Sequence, residues 1–441
     1  MPAVSNEIHE REAPRVPAPQ PPWWGRALRW VVYGMFWLVG RALFRVRVSR
    51  GERPESSQAK IYVGHHKSDL DGLLAMPTAY WSPHIGDEVA RGGIVAGEHI
   101  FQPGFLAGYV VRNPRWLSFL LYPICVDKVM RAMGWYPIPQ ARKRYLLSHF
   151  LDILSVEGDL PLSEVFRDDP ARHVPGAGPD ARIRSVLGWP YRDPLFTTCG
   201  FSIFKPDLRH ALIQRHKARV AASLAVFTAI LNQGGALGIS PHGFLSRDGR
   251  MGRIKSGMSQ IIDSAEREVA VLPANITYDF MSTGRKTAFP ATGRILYGVN
   301  AWSRERLEGE VRQAILAATT VTLGHLAAHV VREHAARGED EIDEAAFRAE
   351  IHARAQRMAR DGYAVDERLL RPGPFSRRWR RFLAYCRRRG LLERRGTVLQ
   401  FDPSQVVVDP TESERVSPWV YSLNELDALV EARSAEGRTS A

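Results

Sequence analysis

His66 and Asp71 are the two residues of this chain whose types and spacing could do acid–base chemistry. They lie in Gly64-His65-His66-Lys67-Ser68-Asp69-Leu70-Asp71-Gly72-Leu73-Leu74, where an apolar strand ending Ile61-Tyr62-Val63 gives way to a helix. Ser68 followed by Asp71 has the spacing of a capping box, which puts Asp71 in the first helical turn and His66 just outside it. An imidazole beside a carboxylate is held in the tautomer that accepts a proton, and is stabilised once it has done so. Such a pair can activate an alcohol for attack on a thioester. Two structural alternatives stand beside this one: Asp71 serves only as a helix cap, or His65 is the relevant histidine with Asp69 as its offset partner. With 14 histidines in the chain, a His-x-x-x-x-Asp spacing also arises by chance.

A second stretch narrows the choice. Ile239-Ser240-Pro241-His242-Gly243-Phe244-Leu245-Ser246-Arg247-Asp248-Gly249-Arg250-Met251-Gly252-Arg253-Ile254-Lys255-Ser256-Gly257 reads as a strand end, a polar glycine-rich turn and a basic step into a helix. Taken in order with the His66–Asp71 pair, it resembles the glycerolipid acyltransferase superfamily, which includes the lysophosphatidic acid and glycerol-3-phosphate acyltransferases. The family core is Phe-Pro-Glu-Gly-Thr-Arg-Ser, followed by a polar turn, a glycine and Lys-x-Gly. Pro241, Gly243, Ser246, Arg247, Asp248, Gly249, Gly252, Lys255 and Gly257 fit that layout. His242 stands where the family has glutamate, and Phe244 and Leu245 replace its threonine and arginine. A phosphate needs fixed donors to replace its water. Either Arg247, Arg250 or Lys255 compensates for the lost arginine, or the acceptor carries no phosphate. A nucleotide-binding loop fits less well, because Ile254 precedes Lys255-Ser256 where such a loop requires glycine.

Two stretches compete for the family's middle motif, a glycine, a short apolar strand and a basic residue. Gly134-Trp135-Tyr136-Pro137-Ile138 has Gln140 at the basic position, with Arg142 nearest. Gly200-Phe201-Ser202-Ile203-Phe204-Lys205 carries its lysine in place and leads through an amphipathic run, Leu208 to Leu231, to the His242 loop. The expectation leans to Lys205 as the headgroup cation, with Arg142 as the alternative. Val269-Ala270-Val271-Leu272-Pro273-Ala274-Asn275-Ile276 reads as a further buried strand and resembles the family's last block.

The elements that must position these residues are spread over 441 residues, enough for two domains and tails. The first 22 residues, polar and proline-rich, read as a disordered tail and not as a secretory signal. Residues 23–45 mix Trp23, Trp24, Trp30, Met35, Phe36, Trp37 and Leu38 with Arg26, Arg29, Arg41 and Arg45. Its uninterrupted apolar run is too short for about 30 Å of hydrocarbon, so a helix lying in the interface with snorkelling arginines is expected, a core helix being the alternative. Leu151 to Asp193, rich in proline and glycine, reads as an insertion with a long loop. Cys125, Cys199 and Cys386 have no metal spacing, imply no disulfide framework, and are expected in buried apolar roles.

The net charge of +13 calls for an acidic partner or a solvated surface, and its densest cluster is Arg377 to Arg395. Interleaved Trp379, Phe382, Leu383 and Tyr385 share one helical face, so the arginines could meet anionic lipid, nucleic acid or water. Lipid ranks first and nucleic acid second. The expected architecture is α/β: a mixed sheet flanked by helices over 46–299, with an insertion near 151–193, an N-terminal membrane-surface helix, and a mostly helical, winged-helix-like region over 300–441. The resemblance implies transfer of a fatty acyl group from acyl-CoA or acyl carrier protein to a lipid hydroxyl, with 1-acylglycerol-3-phosphate the first candidate acceptor. His66 would be the general base and Asp71 its orienting partner, with Lys205 or Arg142, His242, Gly243, Ser246, Arg247 and Lys255 toward the acceptor. Backbone amides near Gly243 would hold the oxyanion. No metal or bound cofactor is implied, and the expected location is the cytoplasmic face of a membrane, peripheral or monotopic.

Overall fold

The computed structural model describes residues 22–49, 58–68, 70–72, 74–75, 92–102, 105–106, 117, 120–121, 124–139, 144–243, 245–406 and 416–439. Asp69, Arg142, Phe244 and the expected N-terminal tail up to residue 21 lie outside them.

The centre is a seven-stranded sheet built from β1 (Phe44–Val46), β2 (Ala59–Gly64), β3 (Gly93–Gly97), β4 (Trp135–Ile138), β5 (Ala236–Ile239), β6 (Val269–Asp279) and β7 (Lys286–Thr292), in the order β1-β7-β6-β2-β5-β3-β4. β6, β2, β5, β3 and β4 are parallel, β7 runs against β6, and β1 follows β7. Both faces of the parallel part are covered, which is why β6 reads as a continuous apolar run. Val269 and Val271 pack with Phe227, Ile230 and Leu231 of the helix Pro206–Asn232, Met258 and Ile261 of Gly257–Asp263, and Leu307, Val311 and Ile315 of Arg304–Ala317. Ala270 and Leu272 face the other way, against Ile295. Each fully buried aliphatic side chain contributes about 1.5–3 kcal/mol. Because strands of one direction end at one edge, the loops after β2 and β5 meet there, and the start of the reversed β1 joins them.

The helices are α1 (Trp23–Leu43), α2 (Leu146–Val156), α3 (Pro206–Asn232), α4 (Gly257–Asp263), α5 (Arg304–Ala317), α6 (Leu323–Ala336), α7 (Glu344–Arg360), α8 (Pro372–Arg388) and α9 (Pro418–Thr439), with short turns between them. α1 begins against the β4 side, where a Cβ on Gly25 would strike the Ala132 carbonyl and Trp135 Nε1 donates to the Tyr33 hydroxyl. It ends at β1, so its length of about 31 Å runs the width of the sheet. Its buried residues are Gly25, Arg29, Tyr33 and Gly40, while Trp23, Trp30, Val31, Met35 and Leu38 are exposed. The amphipathicity is thus inverted, with the apolar side turned outward. Arg29 is buried beside Gly134, contrary to the expected snorkelling. No described helix is long and apolar enough to cross a membrane.

The stretch expected as a long loop folds instead around its own small core. Leu162, Val165, Phe166, Val174, Ile183 and Val186 pack with Leu146 and Phe150 of α2, with Phe204, and with Leu208 and Leu212 of α3. Prolines and glycines there begin short helical turns, such as Pro170–Arg172 and Trp189–Tyr191, without opening the chain. Toward the C-terminus, α6, β8 (Glu341–Asp343), α7, α8, β9 (Glu393–Arg395) and β10 (Val398–Gln400) follow in turn, and the small sheet is ordered β8-β10-β9. Three helices and a hairpin whose second strand returns to β8 make a winged-helix arrangement. Trp379, Phe382 and Cys386 of α8 fill its core with Val331, Phe347 and Ile351, while α9 adds Trp419, Leu423 and Leu426. Of the cysteines, Cys386 is buried, Cys199 half-buried and Cys125 exposed, so the buried role fails for Cys125. Burial pushes the Cys386 thiol up and the Cys199 thiol up to about 12.

Candidate active site

His66 and Asp71 meet at the carboxyl-end edge of the sheet. After β2, His65–Ser68 carry no regular structure and Asp71 opens a helical turn, with His66 Nδ1 2.9 Å from Asp71 Oδ2. The same oxygen accepts from the amides of Lys67 at 2.7 Å and Ser68 at 3.0 Å, while Tyr278 donates its hydroxyl to Oδ1. The return from Asp71 to the Ser68 amide is one half of a capping box; the Ser68 hydroxyl accepts from Leu70 rather than from Asp71. Asp71 therefore caps the helix and binds the imidazole at once, and the two sequence alternatives for it are not exclusive. An ionised carboxylate only accepts, so Nδ1 carries the proton and Nε2 presents its lone pair. The His66 side chain is 36% exposed, so the imidazole can be reached from solvent.

The surroundings hold this carboxylate in place. Tyr278, near the end of β6, is kept in its protonated form by burial and by the charge of Asp71, which both push its phenol far up. The loop after β5 closes over the histidine: the Ser246 amide donates to the His66 carbonyl at 2.8 Å, and the Lys255 amide to the Pro241 carbonyl at 2.9 Å. Gly243 sits at φ 67°, a region open to glycine, and its amide closes a turn on the Ser240 carbonyl at 3.1 Å. That amide is already engaged, so Gly243's own N–H is not the expected oxyanion donor. His242 is buried with its ring edge-on to His65 at 5.1 Å. Burial first, then the charge of Lys67, lowers His65 to about 2, so it stays neutral and is a packing partner of His242 rather than a base. Ser246 is buried, while Arg247 and Lys255 are exposed on the rim.

Lys205 is not part of this assembly. Phe201–Ile203 forms a short helical turn instead of a strand, and Lys205 stands at the N-cap of α3 within the insertion layer, exposed, with its amide on the Val165 carbonyl. The stretch after Gly134 is the one that forms a strand, β4, parallel to β3, and Gly134 takes φ 78° to enter it. Of the two competing stretches, only the one after Gly134 pairs as a strand, and Arg142, its nearest basic candidate, lies outside the described residues. Arg144 is described and buried, paired with Asp152 at 2.6 Å and Glu98 at 3.6 Å.

Glu425, His325 and Tyr278 are three neighbours of the site that escaped sequence reading. Lys67 Nζ forms a buried ion pair with Glu425 Oε1 of α9, and the other oxygen of Glu425 meets His325 Nε2 at 3.1 Å. Although burial works to raise the Glu425 carboxyl, the charge of Lys67 and the hydrogen bond with His325 hold it at about 2. From the same helix Asn424 donates to the Asp248 carbonyl at 2.8 Å, and the Tyr421 carbonyl lies where a Cβ on Gly249 would stand. Gly249, at φ 82°, thus lets α9 close on the His242 loop. Lys67 was visible inside the motif; nothing local to Glu425, His325 or Tyr278 announces a partner so distant in the chain. No group of metal-ligating side chains occurs among the described residues.

Neither a protein-family profile nor a curated protein matches this sequence. Among solved structures, the chain is similar to the 1-acyl-sn-glycerophosphate (LPA) acyltransferase PlsC of Thermotoga maritima, with a TM-score of 0.33 and 14% identity over 66% of this chain and 78% of that one. A likeness at that level assigns no role to any residue here.

Proposed function

We propose that this protein is a lipid O-acyltransferase that moves a fatty acyl group from a thioester, acyl-CoA or acyl carrier protein, to a hydroxyl of a glycerolipid-type acceptor. The observation that carries this reading is the His66–Asp71 pair. The imidazole is held by a carboxylate that accepts four hydrogen bonds, at the carboxyl-end edge of the parallel strands. The acceptor hydroxyl gives its proton to His66 Nε2 as its oxygen bonds to the thioester carbon. The carbon–sulfur bond then breaks, and the proton passes from the imidazolium to the leaving thiolate. No covalent enzyme intermediate is needed, since the thioester is already activated.

The acceptor proposed first is 1-acylglycerol-3-phosphate, with glycerol 3-phosphate next. Leu245 in the place of an arginine favours a second reading, in which the acceptor lacks a phosphate. The test is thiol release from acyl-CoA and from acyl carrier protein with lysophosphatidic acid, glycerol 3-phosphate and a neutral lysolipid as acceptors. Release that depends on the lysophosphatidic acid supports the first acceptor; release with the neutral lysolipid alone selects the second. Lipid binding without release from either donor would leave a lipid-binding protein on an acyltransferase-like framework.

A further inference from the structure

Between β1 and the start of α8 lies a cavity of about 400 Å³ lined by Arg45, Arg47, Arg368, Arg371, Arg377, Arg378 and Arg381, with Glu367 as its one acidic lining residue. Two further carboxylates stand behind it. Asp279 is gripped by Arg378 and meets Arg368 at 3.3 Å, and Asp366 pairs with Arg368 at 2.6 Å. Seven guanidinium groups against three carboxylates leave an excess of four positive charges around one opening. Arg378 is 3% exposed, and its Nη1 is buried without a hydrogen-bond partner among the described residues. Burial, followed by the charges of Arg381, Arg368, Arg285 and Arg47, draws the Arg45 guanidinium below its ordinary value. A crowd of like charges at this density is costly unless an anion completes it.

The position of the cavity says where that anion comes from. Arg45 follows α1 by two residues, and Arg285 donates to the Phe44 carbonyl at 2.9 Å, tying the end of α1 to β7. The outward side of α1 is apolar: Trp30 is 61% exposed, Leu38 63% and Leu43 48%. An apolar helix face beside a basic cavity is the pairing expected at a bilayer surface, where the helix enters the acyl boundary and the cavity meets the headgroups. The start of β1 shares an edge with the end of β2, where His66 lies; Phe44 packs on Tyr278, 5.5 Å between ring centres, and Tyr278 holds Asp71. The next residue in each strand, Arg45 and Asp279, faces the opposite side. The cavity is therefore separate from the active site but opens at the same end of the sheet.

We propose that this arginine cavity binds the headgroup phosphate of an anionic phospholipid in the membrane on which α1 lies, and so sets the orientation in which His66 meets that surface. Nucleic acid fits less well, although α8 holds the place of a recognition helix. The first half of α8 is docked: Arg378 pairs with Asp279 and also donates to the Met281 carbonyl at 3.2 Å. A helix entering a groove must expose that half.

The inference rests on the lipid acceptor of the proposed function and not on its chemistry, so it is tested without acyl donor. The full chain is sedimented with vesicles of phosphatidylcholine alone and of phosphatidylcholine mixed with phosphatidylglycerol, beside the variant Arg45→Gln, Arg377→Gln, Arg381→Gln. Wild type is expected to prefer the anionic vesicles. The variant is expected to lose that preference by on the order of a hundredfold, about fivefold per arginine, and to bind neutral vesicles as wild type does. His66→Ala should partition like wild type, which separates failure here from failure of the acyltransferase reading. Equal partition of variant and wild type overturns the proposal. So does displacement of wild type by soluble glycerol phosphate, which assigns a free phosphate, and so does loss of duplex DNA binding with vesicle binding intact. If the triple variant does not fold, single Arg381→Gln with an expected fivefold loss, and a steep salt dependence of wild-type binding, decide the matter in the same directions.

Discussion

At the scale of single residues, the site separates two adjacent histidines by environment. His66 leans on Asp71 and keeps one nitrogen open, while His65 is buried beside His242 and held neutral. Asp71→Asn takes away the acceptor that fixes the His66 tautomer, and turnover is expected to fall between about 10²- and 10⁴-fold in steady-state assays. Tyr278→Phe removes one donor from Oδ1 and is expected to cost about tenfold. A Tyr278→Phe enzyme with wild-type turnover would mean that this hydroxyl does not help to position the carboxylate. The buried histidines also set a pH dependence. His65, lowered to about 2, and His149, lowered to about 4 chiefly by burial, bind fewer protons folded than unfolded. Their contribution to stability is complete above about pH 6.5 and is lost as pH falls. Urea midpoints should decline from pH 7 toward pH 5, and His65→Asn should flatten part of that decline. The pairing of His66 with Asp71 was legible in the sequence because both partners lie in one turn. Lys205 misled because a basic residue after a glycine says nothing about whether the stretch between them pairs as a strand; Gly134 precedes one that does.

At the scale of elements, α9 is the piece that local sequence could not place. It lies far from the motifs in the chain, yet its Glu425 closes the Lys67–Glu425–His325 group under the histidine loop. Glu425→Ala leaves Lys67 buried without its counter-ion and is expected to cost about 3–5 kcal/mol in denaturant unfolding. A loss below about 1 kcal/mol would show that water replaces the carboxylate. Trp419, 1% exposed in the same helix, anchors it among Phe382 and Leu423, and Trp419→Ala is expected to cost about 3–5 kcal/mol. β2, β5 and β6 were readable as apolar runs between glycine-rich turns. The insertion was not, because its core is assembled from single residues on short turns with no period to detect.

At the scale of the whole molecule, α9 joins two cores. Trp419, Leu423, Leu426 and Leu429 pack in the winged-helix module, while Ala432 packs under the sheet with α5. One cooperative calorimetric transition is expected rather than two, and two separated transitions would mean that α9 does not couple them. The end of α1, the start of β1 with its basic cavity, and His66 lie toward one end of the sheet. Composition pointed to the Arg377–Arg395 cluster; that its first arginines meet Arg45 and Arg47 follows from the reversal of β1 and β7, which no sequence period encodes. The measurement that tests the central claim most directly is acceptor-dependent thiol release from acyl thioester by the purified protein beside His66→Ala. Release by wild type that falls at least about 10²-fold in the variant, with the melting transition unchanged, is the predicted result. Equal release by the two proteins would contradict the assignment of His66 as the base.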